Sequence, residues 1–243
     1  MSSPHELAAE LISSFRAPAP AGAPESPRPR SEPAPLGPSV TAGEDHHPRG
    51  DLLTALRTRR STRFFSPDPI EASLLAGVVA RGIEEDAAAW PDLQGDCGLR
   101  TDVVAFRVGG LEPGMFRLDA PRRSYTPVAP LPPAAALHDL TLQWEFCESA
   151  AIVSINADLE RVGEVHGGHG YRMLLGRVSA AAYTMWLDAV ACGLVGTVFA
   201  GFIPASVRRP LRSDGTSRHQ IFALALGAPA RAPQTSPVAT GHR

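Results

Sequence analysis

The feature that most constrains the fold is a proline-free stretch, residues 171–192, in which apolar side chains recur every three or four positions. This spacing places them on one side of an α-helix. The apolar positions are Leu174, Leu175, Val178, Ala182, Met185, Trp186 and Ala189. Gly193 follows directly, and glycine commonly ends a helix. The sequence therefore predicts a long core helix against which the other elements must pack.

Short β-rich runs lie on both sides of this helix in the chain. The runs that predict strands are 102–108, 115–118, 150–157, 196–202 and 219–227. A shorter helix is predicted over 71–83. These runs do not alternate regularly with helical segments, as they would in a doubly wound parallel sheet. The predicted fold class is therefore α+β, with a mixed sheet flanked by helices around the long central helix.

The composition divides the chain into three regions. Residues 1–50 are rich in Pro, Ala, Ser and Arg and poor in aromatic residues, which predicts a disordered tail. We expect one folded domain over 51–232 and a second disordered tail over 233–243. No apolar run reaches bilayer length, and the N-terminus lacks the pattern of a secretory signal. The expectation is a soluble, cytoplasmic protein with no membrane partner.

All 23 basic residues are arginine, because the chain contains no lysine. This excludes a Schiff-base lysine, a pyridoxal-phosphate anchor and the lysine of a phosphate-binding P-loop. The formal net charge of −2 gives no basic footprint for nucleic acid. The three cysteines are too widely separated to predict a disulfide framework or a CxxC metal site.

An arginine-rich segment follows the first helical signal of the predicted domain. Arg59, Arg60 and Arg63 offer guanidinium groups, and Ser61 and Thr62 offer hydroxyls. Together such groups can surround a phosphate. The alternative is an exposed basic helix end, which the helix dipole also favours. Taken alone, the segment fits the surface interpretation better.

Two glycine-bearing segments are further candidates. Residues 193–202 contain three glycines that would let the backbone approach a planar ligand closely, or would only serve a helix-to-strand connection. His166 and His169 lie on either side of a Gly-Gly pair. Without a nearby carboxylate pair their spacing is weak evidence for a metal, and we predict none. One of them could instead donate or accept a proton near neutral pH.

The order of these segments resembles the FMN-dependent nitroreductase superfamily, and within it the dehydrogenases that form thiazoles and oxazoles in ribosomal peptide biosynthesis. The resemblance covers residues 51–231 and opens with RRSTRFF, residues 59–65. Its segment most specific to the dehydrogenases is VGGLEPGMFRLDAPRRSYTPV, residues 108–128. It continues through residues 170–202 and closes with LALGAPAR, residues 224–231.

The resemblance implies an FMN cofactor and an intertwined homodimer with FMN at the subunit interface. It implies that Arg59, Arg60, Ser61 and Arg63 hold the FMN phosphate and ribityl chain, with help from Arg231. It further implies a glycine-bearing strand that lines the flavin, through Gly196, Thr197, Val198 and Gly201.

The activity that this resemblance implies is the oxidation of an azoline ring in a precursor peptide to an azole, after a cyclodehydratase has formed the ring. Family members carry a Lys-Tyr pair where this chain has Val165 and His166. His166 is therefore our preferred base, with His169 and Tyr171 as alternatives. Two other functions stay open: a general flavin nitro- or quinone reductase, and a non-enzymatic scaffold subunit of a peptide-modifying complex.

Overall fold

A computed structural model describes residues 3–14 and 32–230 of the chain. The helices are α1 (Pro4–Ser14), α2 (Leu52–Thr58), α3 (Ala72–Ala89), α4 (Ala134–Leu137), α5 (Leu159–Ala191) and α6 (Pro204–Val207). The strands are β1 (Val40–Thr41), β2 (Ile70–Glu71), β3 (Arg100–Ala105), β4 (Val108–Gly109), β5 (Gly114–Asp119), β6 (Ser124–Pro130), β7 (Ala151–Ala157), β8 (Val195–Phe199) and β9 (His219–Gly227). Short 3-10 turns cover Pro91–Leu93, Gly95–Cys97, His138–Leu140 and Trp144–Glu148.

Seven strands form the main sheet in the order β1-β6-β5-β3-β7-β9-β8. Each neighbouring pair in this sheet is antiparallel. Parallel pairing occurs between the short strands β2 and β4 and at an isolated bridge between Ser61 and Gly196. The α+β prediction is confirmed, and each of the five runs predicted as strands overlaps a strand of this sheet.

The sheet is covered on both faces. Side chains of α3 and α5 pack with alternate residues of β3, β7 and β9, among them Val103, Val153 and Leu224. The opposite face, with Val104 and Ile152, packs under the 3-10 turns and α6. This alternation is the period-two pattern of a strand buried on both sides. It positions α5 along the sheet, with β8 following directly after its C-terminal end.

Helix α5 is longer than the core helix that the sequence predicted, at 33 residues, because it also includes the segment from His166 to His169 that precedes residue 171. Asp158 caps its N-terminus by accepting a hydrogen bond from the Arg161 backbone N–H at 2.8 Å. The helix is kinked at Gly167, whose φ of 60° and ψ of −154° are non-helical. Glycine adopts this backbone conformation without the steric penalty of a side chain.

The structure corrects the expected tail over residues 1–50 in its second half. Val40 and Thr41 pair with β6, and the Leu36 backbone N–H donates to the Pro127 carbonyl at 2.8 Å. Arg49 donates to Asp188 of α5 at 2.7 Å. Residues 32–50 have little apolar content, and it is hydrogen bonds and ion pairs with the folded domain that hold them in place.

The remaining parts of the two expected tails lie outside the described residues, apart from α1. These parts are residues 15–31 and 231–243. Among residues 3–14 and 32–230, no helix combines the length and apolar character that crossing a membrane requires.

Candidate cofactor site and candidate base

The arginine-rich segment lies beside the first residues of β8. Ser61 forms a parallel bridge with Gly196, and the Thr62 backbone N–H donates to the Gly196 carbonyl at 3.1 Å. The Thr197 hydroxyl donates to the Ser61 hydroxyl at 3.2 Å. Helix α2 ends directly before the segment and so positions it. Asp51 caps the N-terminus of that helix by accepting a hydrogen bond from the Thr54 backbone N–H at 3.0 Å. Two of the sequence-predicted site segments therefore meet.

Arg59 packs against aromatic rings of the same chain. Its guanidinium carbon lies 4.4 Å from the centroid of the Trp186 ring and 5.7 Å from that of Tyr183. These are cation–π distances, and they fasten the end of α2 to α5. The Arg59 Nε atom is buried and has no hydrogen-bond partner among the described residues. Arg59 therefore anchors the segment, a role that the sequence did not predict for it.

Arg60 and Arg63 differ from Arg59 in being exposed. Arg60 Nη1 donates to the carbonyl groups of Arg57 and Arg59 at 3.0 and 2.9 Å, at the C-terminal end of α2. Those carbonyls carry the negative end of the helix dipole, so this contact is the expected one for an exposed basic helix end. Arg63 and Ser61 are exposed beside it, where they can contact an anion from solvent.

The glycines of the β8 region have structural reasons within the chain itself. A Cβ added to Gly196 would lie 2.0 Å from the Ala225 carbonyl oxygen on β9. Gly201 has a φ of 110°, and its added Cβ would lie 1.3 Å from Gln220 Nε2. Val198 is half-buried and packs against the core cluster beneath α5. Close packing against β9 and the backbone conformation at Gly201 therefore account for these glycines within the chain, as in the alternative interpretation in which glycine serves the backbone alone.

The candidate base His166 lies just before the kink in α5. Its Nε2 atom is buried, with no hydrogen-bond partner within the described parts of the chain. Burial lowers the pKa of His166 below 6.5, and the neighbouring His169 and Arg177 lower it further. The imidazole is therefore neutral at neutral pH and able to accept a proton. His169 is exposed and Tyr171 is half-buried.

His166 and Tyr171 are far from the arginine-rich segment within one chain. Tyr171 and Trp186 lie on the same continuous part of α5, and fifteen residues of helix span about 22 Å. His166 lies beyond Tyr171 on the other side of the kink. The structure therefore does not bring the candidate base to the Arg59–Trp186 contact in a single protomer. Arg231 lies outside the described residues.

Two buried ion pairs lie in the core that were not predicted from the sequence. Arg177 on α5 is fully buried and donates to both carboxylate oxygens of Asp86 on α3, at 2.9 and 2.7 Å. Arg218 makes a similar pair with Asp102 on β3. A signal for the first pair was present, because Arg177 falls on the apolar side of the predicted core helix, between Leu174 and Val178. A charge at such a position requires a buried partner.

No three His, Cys, Asp or Glu side chains in residues 3–14 and 32–230 cluster as metal ligands would. No protein-family model matches the chain, and no curated protein matches it. Similarity to solved structures is clear. A candidate nitroreductase from Anabaena variabilis gives a TM-score of 0.65 at 19% identity, over 79% of this chain and 42% of that chain. This chain thus spans less than half the length of the Anabaena protein.

A candidate nitroreductase from Ralstonia eutropha gives a TM-score of 0.59 at 17% identity, over 86% of this chain and all of that chain. A third, from Exiguobacterium sibiricum in complex with FMN, gives 0.51 at 11% identity, over 81% of this chain and 94% of that chain. This chain has the nitroreductase fold. The fold prediction drawn from the resemblance is therefore confirmed.

Proposed function

We propose that this chain is an FMN-dependent oxidoreductase that oxidises azoline rings of a ribosomally made precursor peptide to thiazoles or oxazoles. The observation that carries the flavin part is the meeting of the Arg59–Arg63 segment with β8, in a fold that a solved FMN complex shares. The azoline part rests on the resemblance of residues 108–128 to the dehydrogenases.

The residues at this place fit a phosphate-bearing cofactor. Arg63 and Ser61 are exposed next to the Thr197 hydroxyl, and a guanidinium with hydroxyl donors suits the oxygens of a phosphate monoester. The N–H of the buried Arg59 Nε atom has no acceptor among the described residues, so it is able to donate to a cofactor. Arg59 positions the segment through Trp186, so Arg63 is the residue we expect to contribute most to phosphate binding.

FMN, when bound, supplies an acceptor for a hydride. Conversion of an azoline to an azole removes a hydride and a proton from the ring, so the chain must accept the proton. His166 is neutral at neutral pH because burial and the charges of its neighbours lower its pKa. We assign the proton to this imidazole, with Tyr171, which follows the kink in α5, as the alternative acceptor.

We propose a homodimer because about 22 Å of α5 separates Tyr171 from the Arg59–Trp186 contact within one protomer. We propose that the His166 region of one protomer completes the site beside the arginine-rich segment of its partner. The exposed apolar residues near that segment support this arrangement: Leu52, Leu53, Leu56 and Phe64 are 40–70% exposed. Several large apolar side chains exposed near one another in the chain are typical of an interaction site.

The decisive experiment is complementation between two inactive variants. Arg63→Ala weakens cofactor binding in its own protomer about tenfold or more, so that site is mostly empty at an FMN concentration near the Kd of the unmodified site. His166→Ala removes the base. Mixed dimers obtained by co-expression retain one site with both groups intact, so they should recover up to about a quarter to a half of the activity. Activity is measured as the loss of two hydrogen atoms from an azoline peptide by mass spectrometry.

Each alternative function gives a different result in the same measurements. A chain that retains no FMN after reconstitution, judged by its visible absorbance, would be a scaffold subunit. A yellow protein that reduces nitro or quinone substrates with a nicotinamide and leaves the azoline peptide unchanged would be a general flavin reductase. Arg208→Ala is the matched control for loss of an exposed arginine, because Arg208 is exposed and follows directly after α6.

A further inference from the structure

A cleft of about 850 Å³ lies where residues 32–42, hereafter the N-terminal arm, cross the ends of β3 and β5. It is separate from the arginine-rich segment, which adjoins β8 at the opposite edge of the sheet. The polar residues that line it include Glu32, Ser39, Arg100, Arg117, Arg122 and Thr126. Neither the proposed flavin chemistry nor the proposed dimer uses this cleft.

Two arginines in the cleft share one carboxylate from the arm. Glu32 Oε1 accepts from Arg100 Nη1 at 3.2 Å, and its Oε2 accepts from Arg117 Nη1. Arg117 lies opposite Asp102 in the β3–β5 register, so Arg100 and Arg117 project from the same face of the sheet. Arg218 already neutralises Asp102, which leaves one positive charge in excess at the pair.

The arm also contacts the sheet through its backbone. The Leu36 N–H donates to the Pro127 carbonyl at 2.8 Å, and the Ala42 N–H donates to the Arg123 carbonyl at 2.9 Å. Val40 and Thr41 pair with β6, which is otherwise the edge strand of the sheet. Addition of an extended peptide to a sheet edge, with a side chain in an adjoining pocket, is a common mode of peptide recognition.

These contacts hold the arm weakly. The side chains of Arg100 and Arg117 are 28% and 29% exposed and that of Glu32 is 43% exposed, and ion pairs this open to water contribute little. The paired strand contains only two residues of the arm. The arm lines the cleft through Glu32 and Ser39 without filling it. A competing segment could therefore displace the arm at low cost.

We propose that this cleft is a peptide-binding site for an extended segment that carries an acidic side chain, and that the N-terminal arm is its intramolecular ligand. The acidic side chain binds Arg100 and Arg117, and the backbone that follows pairs with β6. A partner peptide of this chemistry binds by replacing residues 32–42. The site recognises a part of the peptide remote from any reacting group.

The test uses the full-length protein and a fluorescein-labelled peptide with the sequence of residues 31–43, followed by fluorescence anisotropy. Glu32→Gln and Ala42→Pro each weaken the arm, since one removes its charge and the other its donor to Arg123. Both variants should bind the peptide roughly fivefold more tightly than the unmodified chain, because a larger fraction of their sites is open.

Specificity is tested in the Glu32→Gln background. Arg100→Gln or Arg117→Gln should weaken peptide binding about fivefold, and so should replacement of the glutamate in the peptide by glutamine. Arg122→Gln is the matched control: it removes the same charge from the cleft, but Arg122 pairs with Asp119 and not with Glu32. Because the peptide variant leaves the protein unchanged, it gives an answer even if an arginine variant fails to fold.

Three results would overturn the proposal. One is the absence of peptide binding to both Glu32→Gln and Ala42→Pro. Another is equal binding of the glutamate and glutamine peptides. The third is equal weakening by Arg122→Gln and Arg117→Gln, which would indicate general attraction of an acidic peptide to basic surface.

Discussion

The Arg177–Asp86 pair offers the sharpest test of how this fold is stabilised. Both side chains are almost completely buried, at 0% and 2% exposed, and they join α5 to α3 through two hydrogen bonds. Arg177 Nη1 also donates to the Cys97 carbonyl at 3.1 Å. The guanidinium therefore depends on Asp86 for its only negative partner among the contacts that the structure gives it.

Asp86→Ala leaves the guanidinium charge buried and uncompensated. Removal of one partner from a buried pair costs about 3–5 kcal/mol of unfolding free energy. For a domain of this size each kcal/mol lowers Tm by about 2–4 °C, so we expect a loss of roughly 6–20 °C. The double replacement Asp86→Leu with Arg177→Met removes both charges and should recover most of that loss, because an apolar pair of similar volume is often neutral or stabilising.

Urea unfolding followed by tryptophan fluorescence and circular dichroism measures these differences. Asp119→Ala is the matched control, since it breaks the exposed pair with Arg122 and should cost less than about 1 kcal/mol. The reasoning is refuted if Asp86→Ala costs no more than this control. It is also refuted if the double replacement is as destabilising as Asp86→Ala alone.

Four further predictions concern the candidate site. Arg63→Ala should weaken FMN retention about tenfold or more by equilibrium dialysis, whereas Arg59→Ala should lower the unfolding free energy by about 0.5–2 kcal/mol through loss of its ring contacts. Gly201→Ala should destabilise the chain in thermal unfolding, because the new methyl group collides with Gln220 and the φ of 110° disfavours a side chain. The lowered pKa of His166 means that the unfolded chain binds more protons just below pH 6.5. Stability should therefore fall as pH drops through this range, and it should fall less in His166→Gln; equal pH dependence would contradict the burial of this imidazole.

The sequence predicted helices and strands well where the spacing of apolar residues within one segment determines the element. The apolar spacing predicted the core helix, and the β-rich run at 219–227 coincides with β9. Residues 126–133 were not among the predicted strands because they are rich in proline, yet β6 extends through Pro127 and Pro130. Proline is tolerated there because β5 has a register shift opposite this part of β6, and because β6 lies next to the edge of the sheet.

The ordering of residues 32–50 was not predictable from composition, because partners distant in sequence supply it. Glu32 meets arginines of β3 and β5, and Arg49 meets Asp188 near the end of α5. A low apolar content excludes a core, but it does not exclude an arm held on an existing domain by backbone and charged contacts. The same reasoning applies to Arg59, because the aromatic rings that it contacts belong to Tyr183 and Trp186 in the last turns of α5.

The relation between the two halves of the candidate site follows from the length of α5. The sequence placed Tyr171 at the start of the core helix and the glycine-bearing strand after its end, so the two had to be separated by the length of that helix. A continuous helix cannot fold back, and the kink at Gly167 lies before Tyr171, where it cannot shorten the distance to Trp186. If His166 or Tyr171 acts on a ring bound beside Arg63, the two groups must come from different protomers. The complementation of Arg63→Ala by His166→Ala is therefore a test of geometry as much as of chemistry, and failure of mixed dimers to regain activity would remove His166 from the reaction.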